Sequence, residues 1–399
     1  MSRGWVRAAA MLTALAVAVT GPATAALADT EIGEPISLPS VTDECVGAAP
    51  TRAGTAPWAQ QLMMPQLAWP LTRGGGVLVA VVDTGVSAKS PALAGAVLAG
   101  QDVVRPGPAN TDCFGRGTAM AGIVAGRPVT GSPFVGMAPA AQVLPIRVVD
   151  EGGRMQPDAI AAGIAAATGA GAKVILVGTG VATTTATAAL RAAVDAALAR
   201  DIVVVAAVNE EAGARQQTAV WYPAGYQAVI AVAGVDDTGT YTGTVAPEVR
   251  VDLVGPGRGS ISVGPVGDGH YAVGGAAVAA AYVAGAAALV RAHNPALSPA
   301  GVRERLIATA EQPTNGSKLV DPYAAVAAVA PKPLVTVTAG EPGALTLPGT
   351  PPSPVQPRAA GTFAAAAIGA VLVATLALVI ARRGARRRWR SPEDGIRTS

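Results

Sequence analysis

Four short segments hold the side chains whose types and spacing bear on chemistry. An apolar run from Val77 to Val82 ends in Asp83-Thr84-Gly85, which sets a carboxylate at the tip of a strand. The segment Asp112-Cys113-Phe114-Gly115-Arg116-Gly117-Thr118 opens a helix and puts a guanidinium near its start. A third run, from Val203, ends in the amide of Asn209, and a fourth, Gly275-Ala276-Ala277-Val278-Ala279-Ala280-Ala281, begins another helix with a methyl group at Ala277. Hydroxyl-based acyl transfer needs a nucleophilic hydroxyl, an imidazole to take and return its proton, and a carboxylate to orient that imidazole. Asp83 supplies the carboxylate and Asn209 an amide donor. Arg116 stays protonated at any ordinary pH and accepts no proton, and no Ser or Thr lies between Gly274 and Ala281.

The chain has two histidines. His270, seven residues before Ala277, is expected on a separate strand or loop as a solvated polar residue, and His293 lies at the far end of the following helix, ~24 Å away at 1.5 Å per residue. The sequence implies no cofactor and no metal site.

These segments sit in a recurring pattern of elements. Apolar runs of strand length at 77–82, 142–149, 173–178, 202–208 and 228–235 alternate with Ala-rich helical stretches at 156–168, 187–200 and 276–292. Apolar runs that are continuous rather than alternating, separated by helices, predict a parallel sheet covered on both faces. The span from Gly75 to Val329, about 255 residues, suits one α/β domain with ample core. Residues 29–74 show little apolar periodicity and scattered Pro, and read as an N-terminal extension lying on the domain surface. Residues 330–360 are rich in Pro, Gly and Thr and read as an extended spacer.

Taken in order, the four segments resemble those of the subtilisin-like serine proteases. Asp83-Thr84-Gly85 corresponds to the Asp segment, residues 112–118 to the family's D-x-x-G-H-G-T, Val203 to Asn209 to VVVAAxGN with its oxyanion-hole Asn, and residues 275–285 to G-T-S-x-A-A-P-x-V-A-G. The order Asp, His, Ser is the subtilisin order. Tyr222-Pro223-Ala224, a helix from Ser298 to Ala310 and Val320-Asp321-Pro322 add smaller matches. With its flanking segments the chain most resembles the mycosins, the subtilisin-like proteases of type VII secretion systems in actinobacteria. That resemblance implies a disulfide from the extension to the loop before the His position, here Cys45 to Cys113. It also implies a fold with a parallel sheet flanked by helices.

The departures from that family define the functional expectation. The His position is Arg116, the Ser position is Ala277, and Asp83 alone remains of the triad. Val208 replaces the glycine before Asn209, where a β-branched residue does not freely take a strained backbone. The family's V-I-N-x-S-x-G reads Val174-Ile175-Leu176-Val177-Gly178-Thr179-Gly180, and Ala281 replaces a proline. The expected product is a pseudoprotease, a scaffold or peptide-binding component of a type VII secretion membrane complex. The readings beside it are a mycosin-like endopeptidase with some activity, an enzyme of other chemistry in the same cleft, and a surface protein unrelated to secretion. Asp83 and Arg116 are expected to form a salt bridge across the old site, unless the Arg head turns out to water.

The ends of the chain speak to location. Arg3 and Arg7, an uncharged run from Ala8 to Val19, Gly21-Pro22 and Ala26-Leu27-Ala28 read as a signal peptide over residues 1–28. Residues 361–381 carry no charge and are long enough to cross a ~30 Å hydrocarbon layer. The basic tail 382–399 follows directly and predicts a cytoplasmic end, with the domain outside. That tail holds seven Arg against two acids and the leader two Arg, so the overall +3 leaves about −4 on residues 8–381, which argues against nucleic-acid binding. Two cysteines in an exported segment point to one disulfide rather than a thiol site.

Overall fold

The computed structural model describes residues 30–39, 44–178, 180–182, 187–209, 220–245, 248–312, 316–329 and 358–386. The proposed signal peptide, most of the spacer and the last part of the basic tail lie outside the described residues. Contacts divide the chain into one unit up to Ala330 and a second from Pro331.

The first unit is built on a seven-stranded sheet. Its strands are β1 (Leu78–Asp83), β2 (Gln101–Asp102), β3 (Gln142–Arg147), β4 (Val174–Val177), β5 (Val203–Ala207), β6 (Ile230–Val235) and β7 (Leu253–Pro256). Their spatial order is β7-β6-β5-β4-β1-β3-β2, and every neighbouring pair is parallel. Strands β4 to β7 are buried at every residue, which explains why their sequences are unbroken apolar runs rather than alternating ones. The chain order departs from the spatial order at β1, and Asp83 stands at its carboxyl end, where open α/β sheets place their sites.

Four helices cover the sheet: α1 (Arg116–Ala125), α2 (Pro157–Gly169), α3 (Ala188–Ala199) and α4 (Ala276–His293). Helices α2 and α3 pack together, while α4 packs along β4 to β7 and against α1. Helix α4 is long and apolar enough to span a bilayer, yet it is mostly buried within the domain. Its small residues permit that approach: a Cβ on Gly285 would come within 2.5 Å of Met137. A further helix, α5 (Pro299–Ala308), is capped by Ser298, whose hydroxyl accepts from the Gly301 N–H.

Residues 30–39 and 44–57 of the N-terminal extension are mostly exposed or half-buried, while the part after them enters the core. Its short helix Trp58–Met63 buries Ala59 and Met63, and Ala68 beyond it is also inside the core. Upstream, the Leu38 N–H donates to Ala272 O and the Ala272 N–H to Ile36 O. Ala272 belongs to an antiparallel hairpin of β8 (Ser260–Val263) and β9 (His270–Val273) that lies outside the main sheet. The extension thus completes the fold through partners about 200 residues away, and periodicity within residues 29–74 has no reason to announce them.

The second unit holds α6 (Arg358–Arg386), an apolar helix near the carboxyl end. Ile368, Val371, Leu372, Leu376 and Ile380 on it are all exposed.

Candidate functional site

An open cleft of about 650 Å³ lies at the carboxyl end of the sheet, lined by Arg116, Asn209 and Ala277 together with Phe114, Gly153 and Val273. The loops and helix starts that carry these residues converge there because α1 and α4 both begin at the cleft.

Asp112 positions the first of them. Its Oδ1 accepts from the N–H groups of Phe114 and Gly115, and its Oδ2 from the N–H and hydroxyl of Thr118, so one carboxylate ties down the first turn of α1. Gly115, at φ 77°, takes the left-handed backbone that turns the chain into the helix. Burial pushes the Asp112 carboxyl up from its ordinary range, against the hydrogen bonds from Thr118, Thr84 and Gly115 that pull it down. Cys113 in this loop is joined to Cys45 in a disulfide, and the Val46 N–H donates to Cys113 O.

Arg116 is the first residue of α1. Its Nε donates to Asp83 Oδ1 at 2.9 Å, with the Arg side chain 34% exposed and the Asp side chain 0%. The Thr84 N–H donates to the same Oδ1 at 2.8 Å, while Asp83 Oδ2 is buried without a hydrogen-bond partner among the described residues. Asp83 therefore sits beneath the cleft rather than in its lining, covered by the guanidinium. The turn behind it is held by Arg147, whose Nε donates to Thr84 O and whose Nη1 donates to Asp102 Oδ2.

Met120 is a feature that the motifs did not reveal. It lies four residues after Arg116, on the same face of α1, and is fully buried. A Cβ on Gly178 would come within 2.4 Å of Met120 Cε and 2.5 Å of Asp83 Oδ2. The missing side chain at 178 and the large one at 120 are thus complementary, and the spacing of 120 from 116 is the one sequence signal for it.

Ala277 is the second residue of α4, half-buried, with its methyl in the cleft wall. Asn209 follows β5, and its Nδ2 donates to Thr244 O at 3.0 Å. The Val208 N–H donates to Val232 O, and Val208 is not among the described non-glycine residues with positive φ. Val208 thus keeps an ordinary backbone where the family has a glycine.

Neither histidine reaches the cleft. His293 ends α4, and His270, on β9, is buried rather than solvated, at 1% exposure. His270 Nδ1 accepts from the Ala53 N–H at 3.0 Å, and Nε2 lies 3.1 Å from Ser132 Oγ. A backbone N–H can only donate, so the ring proton is on Nε2 and points at Ser132. The pair looks like a nucleophile and base, but in this tautomer the imidazole cannot take the hydroxyl proton.

The order of strands, the cleft at the end of β1 and the segments around it find their counterpart in known proteins. The subtilase family model matches residues 74–331. The chain belongs to the subtilase family. Subtilisin DY of Bacillus licheniformis is 35% identical over 238 residues, covering 60% of this chain and 85% of that protein. Mycosin-3 of Mycobacterium tuberculosis is 33% identical over 398 residues, covering 84% of this chain and 85% of mycosin-3. A chain in the structure of an intact ESX-5 inner membrane complex superposes with a TM-score of 0.61 at 26% identity, covering 88% of this chain and 97% of that one. The subtilase described here is therefore mycosin-like over nearly its whole length, beyond the peptidase domain itself.

Proposed function

We propose that this subtilase is catalytically inert and serves as a membrane-anchored binding or scaffold component of a type VII secretion complex. The observation that carries the first half is the contact at the end of β1: a guanidinium, not an imidazole, holds the Asp83 carboxylate, and the cleft wall beside it presents the methyl of Ala277. In subtilisin, removing the nucleophile or the base alone lowers the rate by about a millionfold, so a site without either has no serine-protease turnover to speak of. Asn209 already gives one of its two amide N–H groups to Thr244 O.

The second half is supported by likeness to mycosin-3 and to a chain of the ESX-5 inner membrane complex. Helix α6, whose apolar stretch up to Ala381 is followed within the helix by Arg382 and Arg383, serves as the anchor, with the basic tail on the cytoplasmic side and the peptidase-like domain outside. The cleft, still open at about 650 Å³, remains available to a peptide or protein segment. The test is to expose the purified natural protein to a fluorophosphonate probe and to casein, and to isolate the membrane complex with a tagged copy. Absence of labelling and cleavage with co-isolation of secretion components is expected; covalent labelling overturns the inert site, and a tagged copy that leaves the membrane alone overturns the scaffold.

A further inference from the structure

We propose that His270 is a proton-operated latch, holding the N-terminal extension against the cleft wall while neutral and releasing residues 46–57 when charged. Strand β9 connects the two ends of this device. At one end Ala272 and Val273 line the cleft, and Ala272 pairs through its backbone with Ile36 and Leu38 of the extension. At the other end the His270 ring accepts from the Ala53 N–H and donates to Ser132 Oγ. Ser132 Oγ in turn accepts from the Phe134 N–H, and the Phe134 ring lies 5.7 Å from the imidazole. Thr51 and Arg52, just before Ala53, pair with Glu31 and Ile32, so lifting residue 53 draws on the first residues of the extension as well.

Protonation of His270 places a hydrogen on Nδ1 directly opposite the Ala53 N–H. Two donors then face each other across a gap that was a 3.0 Å hydrogen bond, and a charge stands in a buried site. The charged groups around the ring are Arg52 from the extension, which repels the imidazolium, and Asp268 from the turn before β9, which attracts it. Loop 129–134 contributes Ser132 and Phe134, neither of which carries charge. Asp268 is already engaged by Arg52 at 3.3 Å and by the Thr30 hydroxyl. The Thr30 hydroxyl, with Arg52 and His270 behind it, holds the Asp268 carboxyl below its ordinary range. Burial first, then Arg52, pushes His270 down to about 4 from 6.5. The folded value lies below the unfolded one, so the latch contributes fully above pH 6.5 and its contribution is lost as pH falls through about 4. The Cys45–Cys113 disulfide keeps one end of the released segment tied, so opening is local.

Hydrogen exchange of the full-length protein between pH 7 and 4, corrected for intrinsic rates, reads the latch directly. Peptides covering residues 46–57 and 36–38 are expected to exchange about tenfold faster or more at pH 4, with β1 peptides still protected. His270→Asn puts an amide oxygen where Nδ1 stands and does not titrate; it is expected to keep the neutral-pH protection and lose the acid response. A flat profile in the natural protein, or an acid response that survives in His270→Asn and disappears in Asp268→Asn, overturns the proposal. Should the variants fail to fold, the imidazole nitrogens of the natural protein decide by NMR: a proton on Nε2 and a midpoint near 4 support the latch, whereas a proton on Nδ1 or an ordinary midpoint overturns it.

Discussion

Replacing Arg116 by alanine removes the guanidinium from a carboxylate whose side chain is wholly buried. What remains for Asp83 among the described residues is the Thr84 N–H on Oδ1, since Oδ2 has no partner among them even in the natural protein. Stranding one member of a buried ion pair costs about 3–5 kcal/mol. The lower figure applies here, because Arg116 is one-third exposed and its removal lets cleft water approach. For a domain of this size each kcal/mol moves Tm by about 2–4 °C, so Arg116→Ala should melt about 6–12 °C below the natural protein. The reverse change is milder. Asp83→Asn keeps the shape and leaves a guanidinium that can rehydrate at the cleft, at about 1 kcal/mol. Thermal melts of the two single variants and the double variant form a cycle that isolates the coupling. An Arg116→Ala variant that melts within about 2 °C of the natural protein, or an Asp83→Asn variant that is the more damaged of the two, would refute the idea that the cation is what makes this buried carboxylate tolerable.

Other changes at the site have equally definite outcomes. Ala277→Ser alone should remain unlabelled by a fluorophosphonate, because Arg116 cannot act as a base; combined with Arg116→His, hydrolysis of a peptide anilide should still fall about 10²–10³ below that of an intact subtilase if the bond to Thr244 O holds the second Asn209 N–H out of line with an oxyanion. Full activity in the double variant would show that the amide is free to turn. Gly178→Ser should lower stability by about 1–3 kcal/mol through its clash with Met120 and Asp83 Oδ2, and Met120→Ala in the same chain should recover part of the loss in denaturant melts; an undisturbed Gly178→Ser protein would contradict the packing. Replacing Cys45 and Cys113 by alanine opens a loop of 68 residues and should destabilise the domain by about 4 kcal/mol on the chain-entropy model, read as a lower denaturation midpoint that reducing agent no longer shifts.

The fold was legible in the sequence where local pattern and tertiary environment coincide. Residues 174–177, 203–207 and 230–235 are strands buried at every position, and burial on both faces of a parallel sheet leaves a continuous apolar run as its trace. The four motif segments were equally plain, since each is a contiguous stretch at the start or end of an element, and so were the guanidinium at 116 and the methyl at 277. Where these side chains point was another matter. That Asn209 gives its amide to Thr244 O depends on a loop 35 residues away, and that Gly178 is empty space for Met120 depends on a helix and a strand meeting behind Asp83. His270 shows the limit most clearly. By residue type it was a surface polar group, yet Ala53 and Ser132, 217 and 138 residues distant, each take one ring nitrogen and make burial of the neutral imidazole possible. What the extension touches was hidden for the same reason: Leu38 and Ala53 find partners on β9, and nothing within 29–74 repeats. Sequence determined which groups are present and which elements carry them, because those follow from local pattern. Hydrogen-bond partners, shared volume and the protonation they impose were decided only by the fold, because they depend on neighbours that the chain brings together from far apart.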